Sequence, residues 1–151
     1  MQFKSEILIK SPIEDVIRKM NSAENMKHWQ EGLVGIEHID GTPKKFGAKI
    51  KLNYDFGNRR MEVIETITKH NYPKEFHATY NTDGLRNIQK NYFESTANGH
   101  TKWICENEYE PTSFKMLAMI ALMPRAFKKQ TKRYMQNFKN FVEHKFSVAH
   151  A

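Results

Sequence analysis

The stretch SFKMLAMIALMPRAFKKQTKRYMQNFKNFVEHKFSVAHA, from Ser113 to Ala151, decides the fold because it holds the longest helical pattern of the chain. Apolar residues recur in it at steps of three and four, which places them on one stripe of a helix. The stripe consists of Leu117, Ile120, Ala121, Pro124, Phe127, Thr131, Tyr134, Phe138, Phe141 and Val142. A helix with one apolar face must pack against another element, so we expect it to lie across a sheet.

The same stretch carries the whole net charge of +7. It contains eight Lys/Arg and one Asp/Glu, whereas residues 1–112 contain sixteen of each. Five of these cations fall mostly opposite the apolar stripe: Lys128, Lys129, Lys132, Arg133 and Lys139. A solvated surface is the simpler interpretation of this face, and RNA or an anionic membrane is the alternative.

Length and composition predict one domain over residues 1–151 of an ordinary globular protein. The chain has 39% hydrophobic and 27% charged residues, without a low-complexity tract. Cys105 is the only cysteine, which excludes an internal disulfide and favours a reducing compartment. The N-terminus lacks the apolar run of a signal peptide, and the longest apolar run, residues 116–124, is too short to span a bilayer. We therefore expect a cytoplasmic protein.

Alternating apolar and polar residues predict seven strands before the helix. They cover residues 3–10, 33–40, 48–56, 59–70, 74–82, 85–96 and 100–110. Ser11-Pro12 and Ser22 are start signals for two short helices between the first two strands. Asp83-Gly84 and Asn98-Gly99 are hairpin signals. Short turns between successive strands predict an antiparallel meander, and hence an α+β fold.

Alternation also predicts which side chains face the helix. In the last strand Trp103, Cys105, Asn107 and Tyr109 share one face. Their counterparts in two earlier strands are Ile50, Leu52, Tyr54, Phe56, Phe76, Ala78 and Tyr80. The opposite positions, including His77, Thr79 and Asn81, predict a second face that is charged and exposed to water.

Three segments resemble the START-like (SRPBCC) superfamily, which includes the birch-pollen-allergen, polyketide cyclase and lipid-transfer families. They are ILIKSPIEDVIRKMNSAENMKHWQEG at residues 7–32, RMEVIETIT at residues 60–68 and YMQNFKNFVEHK at residues 134–145. The resemblance covers nearly the whole chain and implies a helix-grip fold, in which a curved sheet wraps the C-terminal helix. It also implies a cavity for lipids, polyketides or other hydrophobic molecules.

The chain departs from two groups with this fold. Residues 41–47 match the glycine-rich loop of the birch-allergen group only in part. The sequence also lacks the iron-binding pattern of two histidines and a carboxylate that the oxygenase subunits with this fold have.

The candidate ligand-binding residues come from the inward strand faces, the second short helix and the C-terminal stripe. They are Trp29, Tyr54, Phe56, Phe76, Tyr80, Trp103, Asn107, Tyr109, Leu117, Ile120, Phe127 and Tyr134. The competing interpretation is that these side chains simply form the core. Catalytic residues are not assigned, although Glu65 is an inward-facing candidate. Cys105 lies on an apolar strand face and is expected to be an inert buried thiol.

No metal or cofactor is expected. The histidines, at positions 28, 38, 70, 77, 100, 144 and 150, form neither the helical i, i+4 pair nor the Cys/His clusters that bind zinc.

The apolar run Met116 to Pro124 has two interpretations of equal weight. Pro124 interrupts the helical pattern, so residues 113–123 could form a separate turn or flap. The segment is then either a cavity gate or a lip that touches a membrane, or else part of the core or of a homodimer contact.

Three functions remain open: a carrier or sensor of a small hydrophobic molecule, a cyclase- or dehydratase-like enzyme using the same cavity, and an interaction protein that binds RNA, ribosome or membrane through Lys128, Lys129, Lys132 and Arg133. We favour the first, and whether the protein catalyses a reaction stays open.

Overall fold

One seven-stranded antiparallel sheet and three helical segments make up the computed structural model, which describes residues 1–149. The strands are β1 Gln2–Ile9, β2 Leu33–Asp40, β3 Lys49–Asp55, β4 Arg60–Asn71, β5 Glu75–Thr82, β6 Leu85–Ser95 and β7 Thr101–Pro111. The helices are α1 Ile13–Met20, α2 Phe114–Leu122 and α3 Pro124–His144, and a single 3-10 turn spans Met26–His28. The strand order is β1-β7-β6-β5-β4-β3-β2.

The predicted α+β fold with its antiparallel meander is confirmed, and each strand begins and ends within one residue of its predicted bounds. The short helices differ from the prediction. Pro12, and not Ser11, is the N-cap of α1, and no side chain caps it. The segment after Ser22 forms only a turn, in which Ser22 Oγ accepts a hydrogen bond from the Asn25 amide at 3.3 Å.

The C-terminal pattern folds as two helices, because the backbone leaves helical geometry at Met123 (φ −133°, ψ 58°) before Pro124 starts α3. The interruption predicted at Pro124 is therefore observed, and the predicted apolar stripe does not extend before it, where Ala121 lies exposed. Beyond it, α3 buries Thr131, Met135, Phe138 and Val142, of which Met135 was not in the predicted stripe. These side chains hold α3 across the sheet.

Phe138 is the centre of the main core and is fully buried. Its ring meets Trp29 and Trp103 edge to face, with centroids 5.2 and 5.4 Å away. Ile9 and Val16, also fully buried, belong to the same cluster. The core thus joins α3, β7, β1, α1 and the turn that carries Trp29.

The outer face of the sheet is less exposed than alternation predicts. His77 and Thr79 of β5 are only 9% and 7% exposed. Strand β5 lies in the middle of the sheet, so side chains of neighbouring strands cover it. The His77 ring lies 5.1 Å from the Tyr92 ring, and its Nε2 lies 3.1 Å from a Glu75 oxygen.

Candidate ligand-binding cavity

A cavity of about 540 Å³ lies between the inner face of the sheet, the segment around Trp29, and helices α2 and α3. Pockets for small organic ligands commonly have volumes of this order. Alternate residues of β4 and β6 form much of its floor because successive strand side chains point to opposite faces. These residues are Met61, Val63, Glu65 and Ile67 on β4, and Asn87, Gln89, Asn91 and Phe93 on β6.

Eight of the twelve candidate ligand-binding residues line this cavity. They are Trp29, Tyr54, Phe76, Tyr80, Trp103, Tyr109, Phe127 and Tyr134. The structure therefore brings together side chains from β3, β5, β7, α3 and the turn before β2. Their role in binding a ligand stays a prediction.

Four candidates lie elsewhere, for identifiable reasons. Phe56 follows the end of β3, is 36% exposed and stacks on the Tyr54 ring. Asn107 turns its amide toward the neighbouring strand and not into the cavity. Leu117 and Ile120 are displaced because the break at Met123 changes the rotational phase of α2. Met116 and Met119 take their place in the cavity wall.

A row of polar side chains crosses the floor at one level. In the strand register Glu65 of β4 lies opposite Tyr80 of β5, Tyr80 opposite Asn87 of β6, and Asn87 opposite Tyr109 of β7. All four side chains line the cavity. A ligand that crosses this row meets a carboxyl, two phenols and an amide.

Glu65 is the most unusual member of this row, because its carboxyl is only 6% exposed and is not part of an ion pair within residues 1–149. Burial raises the pKa of Glu65 to about 7, and a hydrogen bond from the Tyr80 hydroxyl offsets only part of this increase. The carboxyl is therefore divided between its neutral and charged forms near neutral pH. Glu65 lines the cavity, so the inward orientation predicted for its side chain is observed.

A network of amides continues the polar floor along β6 and β7. Asn87 and Gln89 donate to Asn107 Oδ1 at 3.0 and 3.2 Å, and Asn91 donates to Gln89 at 3.1 Å. Trp103 Nε1 in turn donates to Asn91 Oδ1 at 2.9 Å. Sequence reasoning missed this network, although Asn87, Gln89 and Asn91 occupy every second position of one strand.

Apart from Glu65 and His70, the titratable groups in the interior of the cavity are phenols and the Cys105 thiol. Burial raises the pKa of Tyr54, Tyr72 and Tyr80 above the ordinary phenol range and that of Tyr109 to about 12. The Tyr54 hydroxyl donates to Gln30 Oε1. Two lysine or arginine side chains contribute to the lining, Lys44 and Arg59, and both residues are exposed.

Trp29 offers a hydrogen-bond donor without a partner in the described chain. Its side chain lines the cavity and is 7% exposed, yet its indole Nε1 is buried and unpaired. A buried unpaired donor costs roughly 1–3 kcal/mol. Because Nε1 has essentially no accessible surface, a molecule in the cavity would contact the Trp29 ring and not its N–H.

Cys105 lines the cavity but has the properties of an inert thiol. Burial raises its pKa to about 12, and Asn107 Nδ2 lies 3.2 Å from its sulfur. Because the thiolate is the reactive species, native protein is expected to resist iodoacetamide at pH 8 and to react fully once unfolded. Mass spectrometry of the alkylated protein measures this, and rapid modification of folded protein would contradict it.

The structure also bears on metals and membranes. Within residues 1–149 there is no group of three His, Cys, Asp or Glu side chains that could hold a metal ion, and His150 lies outside the described residues. In the same part of the chain, every helix is too short or too polar to cross a membrane.

No protein-family model matches the sequence, and no curated protein is similar enough to match it. Solved structures are nevertheless similar in fold. Ara h 8.0201 superposes with a TM-score of 0.76 at 13% identity, over 94% of this chain and 97% of that chain. TTHA0849 from Thermus thermophilus gives 0.75 at 13% identity, over 94% and 97%. CV1439 from Chromobacterium violaceum gives 0.71 at 14% identity, over 95% and 98%. At these identities the likeness shows the fold alone, and it confirms that the chain has the START-like helix-grip fold.

Proposed function

We propose that the protein binds a small, neutral amphipathic molecule in the cavity between the sheet and α3. One observation carries this proposal: the cavity is about 540 Å³ in volume and joins aromatic walls to buried polar groups that have no permanent charge. A cavity meant only for packing would be filled by side chains, and a purely lipophilic one would not bury a carboxyl.

The aromatic walls suit the apolar part of such a ligand, and the polar floor suits its polar part. Trp103, Phe93 and Phe76 provide apolar surface at one end of the floor, while the row from Glu65 to Tyr109 provides donors and acceptors. The ring of Trp29 adds further apolar surface. Neutral Glu65 can also donate, which a charged carboxylate cannot.

A permanently charged head group is disfavoured inside. The permanently cationic lining residues Lys44 and Arg59 are exposed, and the Nε2 of the half-buried lining residue His70 lies 3.3 Å from Asn21 Oδ1. An anion bound deep in the cavity would therefore lose its hydration without gaining a buried, permanently charged partner. The proposed guest is therefore a hydroxylated or carbonyl-bearing aromatic or aliphatic molecule, not an acid.

Fluorescence titration with 2-naphthol and 2-naphthalenesulfonate tests this proposal, since the two probes share one ring system and differ in charge. We expect 2-naphthol to bind about tenfold or more tightly than the sulfonate. Ile67→Trp fills cavity space and should weaken 2-naphthol binding several-fold. Ile64→Trp, on the opposite face of β4, is the matched control. Equal binding of both probes, or equal effects of both variants, would contradict the proposal.

A second candidate function is acid–base chemistry on the bound guest, favoured by the Glu65 pKa of about 7 beside the Tyr80 hydroxyl. A carboxyl with this pKa can accept or release a proton near neutral pH. Kemp elimination of 5-nitrobenzisoxazole is a suitable probe, because a carboxylate removes the C3 proton as the N–O bond breaks. Catalysis that rises through pH 7 and disappears in Glu65→Gln would support this function, and equal rates for both proteins would exclude it.

A further inference from the structure

Helix α2 exposes an unusual amount of apolar surface. Phe114 is 90% exposed, Leu117 52%, Leu122 81% and Met123 52%; we call these four residues the α2 apolar face. The helix has no buried residue and a single charged one, Lys115. Its other side still contacts the protein, since Met116 and Met119 line the cavity. One short helix therefore separates the cavity from a large exposed apolar surface.

The start of α2 is nevertheless held in a fixed place. Ser113 Oγ accepts a hydrogen bond from the Met116 amide at 3.2 Å, and the Thr112 amide donates to the Gly84 carbonyl at 2.8 Å. Gly84 has a φ of +76°, and a Cβ there would lie 2.5 Å from Ser113 Oγ. The exposed face is thus presented by an anchored helix and not by a frayed end.

Positive charge lies beside this face along the chain. Five exposed cations lie on α2 and the first turns of α3: Lys115, Arg125, Lys128, Lys129 and Lys132, which we call the basic cluster. None of them forms a salt bridge within residues 1–149. No acidic residue occurs between Glu110 and Glu143 to compensate them. Exposed apolar side chains and unpaired cations on two consecutive helices match the chemistry of an anionic lipid surface.

We propose that the α2 apolar face and the basic cluster dock the protein on an anionic bilayer, with the cavity wall against the lipid. RNA would engage the cations but leave Leu117, Leu122 and Met123 in water, because aliphatic side chains give no stacking surface for bases. A second copy paired through α2 would bring two basic clusters together, which like-charge repulsion opposes. An anionic bilayer accounts for both the α2 apolar face and the basic cluster.

Sedimentation with lipid vesicles tests the docking surface. We expect tight association with phosphatidylcholine vesicles containing about a third phosphatidylserine, and weak association with pure phosphatidylcholine. Lys128→Glu with Lys129→Glu should weaken the former about tenfold or more, because four units of charge change near the surface. The control pair Lys49→Glu with Lys90→Glu makes the same net change on the sheet and should have little effect.

The apolar contribution is tested separately. Phe114→Ser with Leu122→Ser should also weaken vesicle binding about tenfold or more, whereas Val34→Ser with Ile39→Ser, exposed on β2, should not. Binding that survives the α2 pair would overturn the proposal, as would tighter binding to RNA than to vesicles. A protein dimer that Phe114→Ser with Leu122→Ser abolishes would also overturn the proposal. The absence of any vesicle association would overturn it as well. Titration of these variants with 2-naphthol reports cavity binding separately, since neither Phe114 nor Leu122 lines the cavity.

Discussion

Phe138→Ala is expected to lower the free energy of unfolding by about 3–5 kcal/mol, the cost of removing a large aromatic side chain from a packed core. Phe138 is fully buried and its ring contacts both Trp29 and Trp103. The lost side chain would leave a void where α3 meets the sheet. Urea denaturation followed by tryptophan fluorescence measures the change, because both tryptophans report on this contact.

Phe146→Ala is the control for this experiment. Phe146 lies just after the C-terminal end of α3 and is 72% exposed. Its replacement should change the free energy of unfolding by about 0.5 kcal/mol or less. Similar losses in the two variants would show that α3 does not pack on the sheet through Phe138.

Glu65 is expected to make stability depend on pH. Its pKa is raised from 4.5 to about 7 in the folded protein, so the folded state holds the proton more tightly than the unfolded state does. Its stabilising contribution is fully present below pH 4.5, declines as the pH rises, and is lost above pH 7. Across this pH window the contribution of Glu65 to the free energy of unfolding falls by about 3 kcal/mol. Glu65→Gln stays neutral and should be more stable than the parent protein above pH 7 by a similar amount.

Denaturation at a series of pH values between 4 and 9 measures this effect. Glu62→Gln is the matched control, because Glu62 lies on the exposed face of the same strand and its replacement should leave the pH profile unchanged. If Glu65→Gln and the parent protein lose stability in parallel from pH 5 to 8, the carboxyl is not buried as described.

Much of the fold could be predicted from local patterns. Strand bounds follow from alternation between turn residues, and Asp83-Gly84 and Asn98-Gly99 fix two hairpins of the meander. Most inward positions were correct where apolar and polar residues alternate, as for Trp103, Cys105 and Tyr109, whereas Phe56 and Asn107 do not line the cavity. They were uncertain in β4 and β6, where Glu65, Asn87, Gln89 and Asn91 face inward despite being polar.

The rest of the site depends on contacts between distant parts of the chain. Pro124 indicates a break in the helix, but periodicity cannot reveal how α2 is oriented before it, so it assigned Leu117 and Ile120 to the cavity in place of Met116 and Met119. It also cannot reveal that Asn107 bonds to a neighbouring strand, or that Trp29 Nε1 lacks a partner while Trp103 has one. These facts follow from strand register and helix placement, which set the chemistry of the cavity.

The most direct test of a guest beside α3 is to follow the two indole N–H signals by NMR during titration with 2-naphthol. The signals belong to Trp29 and Trp103, the only two tryptophans of the chain. Both indole rings line the cavity, so the ring current of a bound naphthyl group should give saturable shifts in these signals, at the affinity that fluorescence gives. If both signals stay unchanged at saturating 2-naphthol, the probe does not enter the cavity and the account is wrong.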